Sequence, residues 1–156
     1  MILISCKQKE TDNDSKIIEN KEENVVSDKS SNCELKTLIT INSLLEKDSE
    51  LNDQNYADFF ANMSPECSNN IEYTEFNNEL FFKMLESNPE KFIESLRKES
   101  KKKEILEFVL TQLQNPINDG IELKEIHQKL DETIMEDNKI KELVSESIDI
   151  AIEKYK

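Results

Sequence analysis

The sequence predicts an all-α protein built from about seven short helices. The 156 residues include one glycine and three prolines, so few positions require a positive φ or a sharp break. From residue 34 onward, apolar residues recur at the three- and four-residue spacing that is typical of amphipathic helices. No alternating run of useful length predicts a strand.

The first three predicted helices lie between residues 34 and 87. Their apolar residues are Leu35, Leu38, Ile39, Ile41, Leu44 and Leu45 in the first, Tyr56, Phe59, Phe60 and Met63 in the second, and Tyr73, Phe76, Leu80, Phe81, Met84 and Leu85 in the third. Asp48 is expected to end the first helix, and Pro65 to break the second. The third should end at Asn88, which can cap a fourth helix that has Pro89 at its first position.

Four further helices are predicted after Pro89. Their apolar residues are Phe92, Ile93 and Leu96, then Ile105, Leu106, Val109, Leu110 and Leu113, then Leu123, Ile126, Leu130 and Ile134, and finally Ile140, Leu143, Val144, Ile148, Ala151, Ile152 and Tyr155. Asp119, with Glu122 three residues later, suggests a capping box before the sixth helix. Short breaks between helices predict antiparallel neighbours, arranged as a bundle or as an array of hairpins that is HEAT-like in shape only.

The start of the chain carries a motif of membrane anchoring. Leu3-Ile4-Ser5-Cys6 resembles the lipobox of bacterial lipoproteins, and the resemblance implies that Cys6 is lipidated. Five residues precede Cys6, fewer than the 7–15 apolar residues of a signal peptide, so we expect a truncated signal. Residues 7–32 are mostly polar or charged, contain no aromatic residue and show no sustained apolar period, which predicts a flexible tether. Its charged start is similar to export signals of surface lipoproteins in Bacteroidota.

These features divide the chain into a lipobox remnant at 1–6, a tether at 7–32 and an α-helical domain at 33–156. If Cys6 is acylated, Cys33 and Cys67 remain as an even pair in an oxidising compartment. We therefore expect a disulfide between Cys33 and Cys67, and two reduced, packed thiols are the alternative. The bridge would join the first helical hairpin to the rest of the domain.

Charge composition excludes several classes of function. Acidic residues number 34 and basic residues 20, which disfavours nucleic-acid binding because that function needs clustered Lys and Arg. The single glycine excludes glycine-rich phosphate loops, and the single histidine excludes most zinc sites. No nucleophile elbow is present, so we expect neither an enzyme nor a cofactor. No run approaches the 18 apolar residues of a transmembrane helix.

The charges are also unevenly distributed. Residues 48–90 contain ten acidic residues and a single base, Lys83, which predicts a basic protein partner recruited by electrostatic steering. The four residues expected to contribute to that partner surface are Asp53, Asp58, Glu75 and Glu79. The alternative is that these acids are simply the solvated faces of amphipathic helices.

Two smaller features remain as candidate sites. The first is a basic patch of Arg97, Lys98, Lys101, Lys102 and Lys103, which either compensates the negative end of the fourth helix or faces anionic head groups. The second is His127, with Asp131 one turn later on the same side of the sixth helix. Such a pair could hold a metal or orient a base, but a half-exposed histidine with a solvated neighbour is the simpler interpretation.

Together these observations predict a lipid-anchored binding protein of the bacterial cell envelope that acts through protein–protein contact and binds the membrane through its anchor. An immunity or inhibitor protein against a toxin is one protein of this type. A structural or assembly factor of an envelope complex is the first alternative, and a cytosolic acidic helical adaptor is the second.

Overall fold

The computed structural model describes residues 33–63, 66, 67 and 70–156 of the chain. That part contains seven α-helices and no strand, so the all-α prediction is confirmed. The helices are α1 (Leu35–Leu45), α2 (Asp53–Ala61), α3 (Ile71–Ser87), α4 (Pro89–Glu99), α5 (Lys103–Leu113), α6 (Leu123–Glu132) and α7 (Lys139–Lys154). None of the seven has the length and apolar content needed to cross a membrane. The predicted lipobox with Cys6 and the predicted tether at 7–32 lie outside the described residues.

Three helices begin at an asparagine whose side chain accepts a backbone hydrogen bond from the residue three positions later. These caps are Asn52 to Asn55 at 3.0 Å, Asn70 to Tyr73 at 3.1 Å, and Asn88 to Lys91 at 3.0 Å. The cap at Asn88, followed by Pro89 at the first helical position, was predicted from the sequence. At the end of α1, Asp48 adopts a positive φ of 51°, a conformation that Asp tolerates better than most residues.

Two details of the sixth helix differ from the prediction. The helix begins at Leu123 without a side-chain cap, so the capping box predicted for Asp119 and Glu122 is wrong. The preceding turn is closed instead by the Asn118 side chain, which accepts a hydrogen bond from the Gly120 N–H at 2.8 Å. Ile134 was expected to continue the apolar face of this helix. Because α6 ends at Glu132, Ile134 lies beyond the helix and is 91% exposed.

Helices α3 and α4 form the centre of the fold. α3 packs against α1, α4, α5 and α6, and α4 packs against α2, α5, α6 and α7. Each repeat of a solenoid contacts only its neighbours, whereas α3 contacts α6 and α4 contacts α7, three helices later in the sequence, so the contacts favour the bundle. Four phenylalanines at the α2–α3–α4 contact, Phe59, Phe60, Phe81 and Phe92, meet edge to face with ring centroids 5.0–6.5 Å apart.

A disulfide joins Cys33 to Cys67, as expected, and closes a loop with a sequence separation of 34 residues. Asn62 reinforces the same junction, because its side-chain oxygen accepts from the Glu34 N–H at 3.1 Å and its amide donates to the Glu34 carbonyl at 3.2 Å. The Tyr73 hydroxyl donates to the Asn62 carbonyl at 2.8 Å. The start of α1 is therefore attached both to the end of α2 and to the turn that precedes α3.

Candidate functional site

One face of α3 borders an open groove with an apolar floor and acidic walls. At its wider end, Phe76 of α3 lies opposite Ile117 of the α5–α6 connection, and the walls are Glu72, Glu75 and Glu79 of α3 and Asp119. This end encloses about 580 Å³. Of the eight aromatic residues in the sequence from Tyr56 to Phe92, Phe76 is the one that is not buried.

The groove continues between α3 and α6. The volume of this part is smaller, about 180 Å³, and its floor is formed by Phe82, Ile121 and Ile126. Glu79 and Asn118 border both spaces, so the two lie next to each other along α3. The acids that border the second half are Glu79, Glu86, Glu122 and Glu125. We call the whole feature, bordered by α3, residues 117–122 and the first turn of α6, the α3 groove.

The groove exists because one buried side chain holds the α5–α6 connection against α3. Asn78 is completely buried, and its side-chain oxygen accepts a hydrogen bond from the Ile117 N–H at 2.9 Å. Its amide donates to the Gln112 carbonyl at 3.2 Å, to the Gln112 side chain at 3.0 Å and to the Asn115 carbonyl at 3.2 Å. Beyond the end of α5, Asn78 is thus the partner of the Ile117 N–H and of the Asn115 carbonyl, and it gives the Gln112 carbonyl a second hydrogen bond beside that from the Asn115 N–H. They also place Ile117 beside Phe76.

Seven carboxylates and a single base, Lys83, border the α3 groove. Glu79 forms an ion pair with Lys83 at 2.7 Å, and Glu86 pairs with Lys129 at 2.8 Å. The other five are Glu72, Glu75, Asp119, Glu122 and Glu125, and none of them has a side-chain partner among the described residues. A concave surface with several uncompensated charges of one sign concentrates the electrostatic field in the cleft.

The structure separates the four residues that the sequence assigned to a partner surface. Glu75 and Glu79 line the α3 groove. Asp53 and Asp58 lie on α2 and do not border it. Asp53 forms an ion pair with Lys98 of α4 at 3.6 Å, and Asp58 accepts a hydrogen bond from Gln54 at 2.7 Å. Of these four residues, therefore, only the two on α3 border the α3 groove.

The basic patch is largely paired with acids of the same protein. Four of its five members form ion pairs, which are Arg97 with Asp137 at 3.9 Å, Lys98 with Asp53 at 3.6 Å, Lys102 with Glu99 at 3.5 Å and Lys103 with Glu107 at 3.3 Å. Arg97 and Lys98 lie in the last turn of α4, Lys101 and Lys102 follow it, and Lys103 begins α5. Arg97 and Lys98 thus lie where they offset the negative end of α4.

His127 lies between two helices and has more partners than the sequence indicated. Its Nδ1 is 3.2 Å from Asp131 on α6, and its Nε2 is 3.2 Å from Asp149 and 3.1 Å from the Ser145 hydroxyl, both on α7. A protonated ring donates to both carboxylates, whereas a neutral ring donates from one nitrogen and accepts from Ser145 with the other. The cluster therefore links α6 to α7.

A further charged contact lies at the start of α2. Lys91 of α4 is 2.8 Å from Glu50 and also donates to the Leu51 carbonyl at 3.2 Å. The hydrogen bond from Lys91 lowers the pKa of Glu50, and the same bond raises the pKa of Lys91. Burial, together with the nearby Glu50 charge, raises the pKa of Tyr56 to about 12. The Tyr56 hydroxyl is buried and has no hydrogen-bond partner among the described residues.

The described residues contain no group of three or more His, Cys, Asp and Glu side chains arranged to hold a metal ion.

The sequence did not predict the roles of Asn78, Asn62, Ser145 and Asp149. One signal was available, because Asn77 and Asn78 interrupt the apolar stripe of α3, and a polar residue on a buried face usually has a specific partner.

No protein-family model, curated protein or solved structure matches the chain.

Proposed function

We propose that this chain is a binding protein without catalytic activity, and that its α3 groove recruits a basic protein partner. The observation that supports this function is the set of five carboxylates without partners along the α3 groove, of which Glu72, Glu75 and Asp119 lie around the apolar floor formed by Phe76 and Ile117. Holding like charges together costs self-repulsion in the free protein, and a cationic partner would relieve that cost. Charge complementarity of this kind mainly accelerates association and selects among partners.

The negative charge of the groove argues against nucleic acids and anionic membrane surfaces as its ligands. Nucleic acids carry a phosphate charge every few ångströms and bind to clustered Lys and Arg. Membrane surfaces rich in anionic lipids attract basic segments for the same reason. Both would be repelled by the carboxylates of Glu72, Glu75 and Asp119. A basic protein surface is the partner class that fits.

The setting that we propose for this binding is the bacterial cell envelope, with the protein anchored through a lipidated Cys6. The Cys33–Cys67 disulfide supports an oxidising compartment, where such bonds persist. In that setting the protein would act as an immunity or inhibitor protein that neutralises a basic toxin, or as an assembly factor of an envelope complex. A cytosolic adaptor remains the alternative if the anchor is absent.

The anchor can be tested without knowledge of the partner. Expression of the gene with its native upstream region, in cells supplied with an alkyne fatty acid, should label the wild-type protein and leave Cys6→Ser unlabelled. Equal signals from the wild-type protein and from Cys6→Ser would refute lipidation at this residue.

The partner class is tested by comparing two baits that carry the same change in net charge. The wild-type protein, Glu72→Lys/Glu75→Lys and Asp53→Lys/Asp58→Lys are each used to capture proteins from detergent-solubilised envelope, and the captured proteins are quantified by mass spectrometry. Both double variants replace one acid in the first turn of a helix and one acid further along it. We expect a basic protein that is retained by the α2 variant and lost by the groove variant. Retention by both variants would contradict a role of the groove.

A further inference from the structure

The α3 groove has the length and the charge pattern for a partner helix to lie along it. Its acids on α3 extend from Glu72 to Glu86, and fourteen residues of helix span about 21 Å. A partner helix of about fourteen residues would therefore lie along the whole groove. The described residues contain no strand that could pair with an extended peptide, so strand addition has no template there.

The apolar contacts of the groove are concentrated at one place. Ile117 is 48% exposed although the backbone at this position is fixed by Asn78, and Phe76 beside it is only partly buried. The hydrogen bonds of Asn78 therefore hold an aliphatic side chain partly in solvent, next to an aromatic ring. Covering both with an aliphatic side chain would remove apolar surface from water at the centre of the acidic walls.

We propose that the α3 groove binds one amphipathic, cationic α-helix of a partner protein. This inference rests on the proposed function and adds the form of the ligand. One aliphatic side chain of the helix inserts between Phe76 and Ile117, while Lys or Arg residues on either side of it face Glu72 and Glu75 on one wall and Asp119 on the other. Helices that bind in grooves use apolar anchors at positions i, i+3 or i+4, and i+7, and the acids of α3 repeat at compatible spacings.

The test uses two synthetic peptides of identical composition. The first is a labelled fourteen-residue peptide of Lys, Leu and Ala with its leucines on one helical face. The second is an isomer in which the same leucines are distributed around the helix. Binding is measured by fluorescence anisotropy to the wild-type protein, Ile117→Ser, Ile134→Ser and Glu72→Lys/Glu75→Lys. Ile134 is 91% exposed and does not border the groove, so Ile134→Ser controls for the loss of an exposed isoleucine.

We expect the wild-type protein to bind the amphipathic peptide at least tenfold more tightly than the isomer. Ile117→Ser should abolish this preference while Ile134→Ser retains it, and the double charge reversal should weaken the binding of both peptides. Equal binding of the two peptides, still lost on charge reversal, would overturn the helical ligand and leave the proposed function standing. If neither peptide binds, both fail. If the peptide only disrupts a dimer of the protein, the occupant is a second copy and the inference is wrong.

Discussion

The side-chain oxygen of Asn78, in the middle of α3, accepts a hydrogen bond from the backbone N–H of Ile117 at 2.9 Å, across 39 positions of sequence. This contact ties a connecting segment to the central helix and creates the concave face that lies between them. An asparagine in the interior of a helix is unfavourable for the helix itself. Its position is explained by the four hydrogen bonds that it makes outside α3.

The first prediction concerns Asn78→Leu. The substitution leaves the Ile117 N–H and the Asn115 carbonyl without their partner, and each buried group of this kind costs about 1–3 kcal/mol. We therefore expect the free energy of unfolding, measured by urea titration, to fall by about 2–4 kcal/mol. The variant should also lose affinity for the cationic peptide, because Ile117 is no longer held beside Phe76.

The neighbouring Asn77 provides a matched control. It is equally buried, but its side-chain oxygen has no partner among the described residues and its amide only approaches the Met63 sulfur at 3.5 Å. Asn77→Leu should change the free energy of unfolding by less than about 1 kcal/mol, since replacing a poorly satisfied buried polar group is nearly neutral. If Asn77→Leu and Asn78→Leu lower the free energy of unfolding equally, the hydrogen bonds of Asn78 do not contribute the stability assigned to them here.

The second prediction concerns alkaline pH. Burial is the main factor that raises the pKa values of Tyr56 and Tyr73 to about 12, from about 10 in the unfolded chain. Above pH 10 the unfolded state releases these protons while the folded state retains them, so their contribution to stability is complete below pH 10 and is lost as the pH rises toward 12. At pH 11 this loss should amount to about 1 kcal/mol per tyrosine, measured by urea unfolding relative to pH 9.

Phenylalanine variants separate the titration from the packing. Tyr56→Phe removes a hydroxyl without a partner and should leave stability at pH 7 nearly unchanged, whereas Tyr73→Phe loses the bond to the Asn62 carbonyl and should cost about 1 kcal/mol. Each variant should lose less stability between pH 9 and pH 11 than the wild-type protein. Identical alkaline losses in all three proteins would disprove the assignment to Tyr56 and Tyr73.

The third prediction concerns the disulfide. Cys33 and Cys67 should resist alkylation in the folded, oxidised protein and react after reduction. The double variant Cys33→Ser/Cys67→Ser should unfold with a free energy about 3–4 kcal/mol lower, because the unfolded chain regains the entropy of a 34-residue loop. A reduced protein as stable as the oxidised one would show instead that the Asn62 bonds to Glu34 suffice to hold this junction.

The helices were predictable from the sequence because they depend on local patterns. The period of the apolar residues located all seven, and Asn88 with Pro89 marked the start of α4 correctly. The predicted cap at Asp119 failed for a non-local reason. The α5–α6 connection, which contains Asp119, is held against α3 by Asn78, and α6 starts only after this connection, at Leu123.

The site was only partly predictable for the same reason. Net charge identified the acidic block at 48–90, but it could not distinguish Glu75 from Asp53. Asp53 is compensated by Lys98, which is 45 residues away in the sequence, whereas Glu75 borders a groove completed by residues 117–119. Both distinctions depend on tertiary contacts between helices that have no local signature.

The central claim is that the charge of the α3 groove, rather than the overall acidity of the protein, recruits a basic partner. The most direct measurement is the association rate constant for the cationic amphipathic peptide at low and high salt, compared among the wild-type protein, Glu72→Lys/Glu75→Lys and Asp53→Lys/Asp58→Lys. At low salt we expect the groove variant to associate about tenfold more slowly than the wild-type protein and the α2 variant to remain within about twofold, and the three rates to converge at high salt. Equal slowing in the two variants would contradict the claim, because the peptide would then respond only to the net charge of the whole molecule.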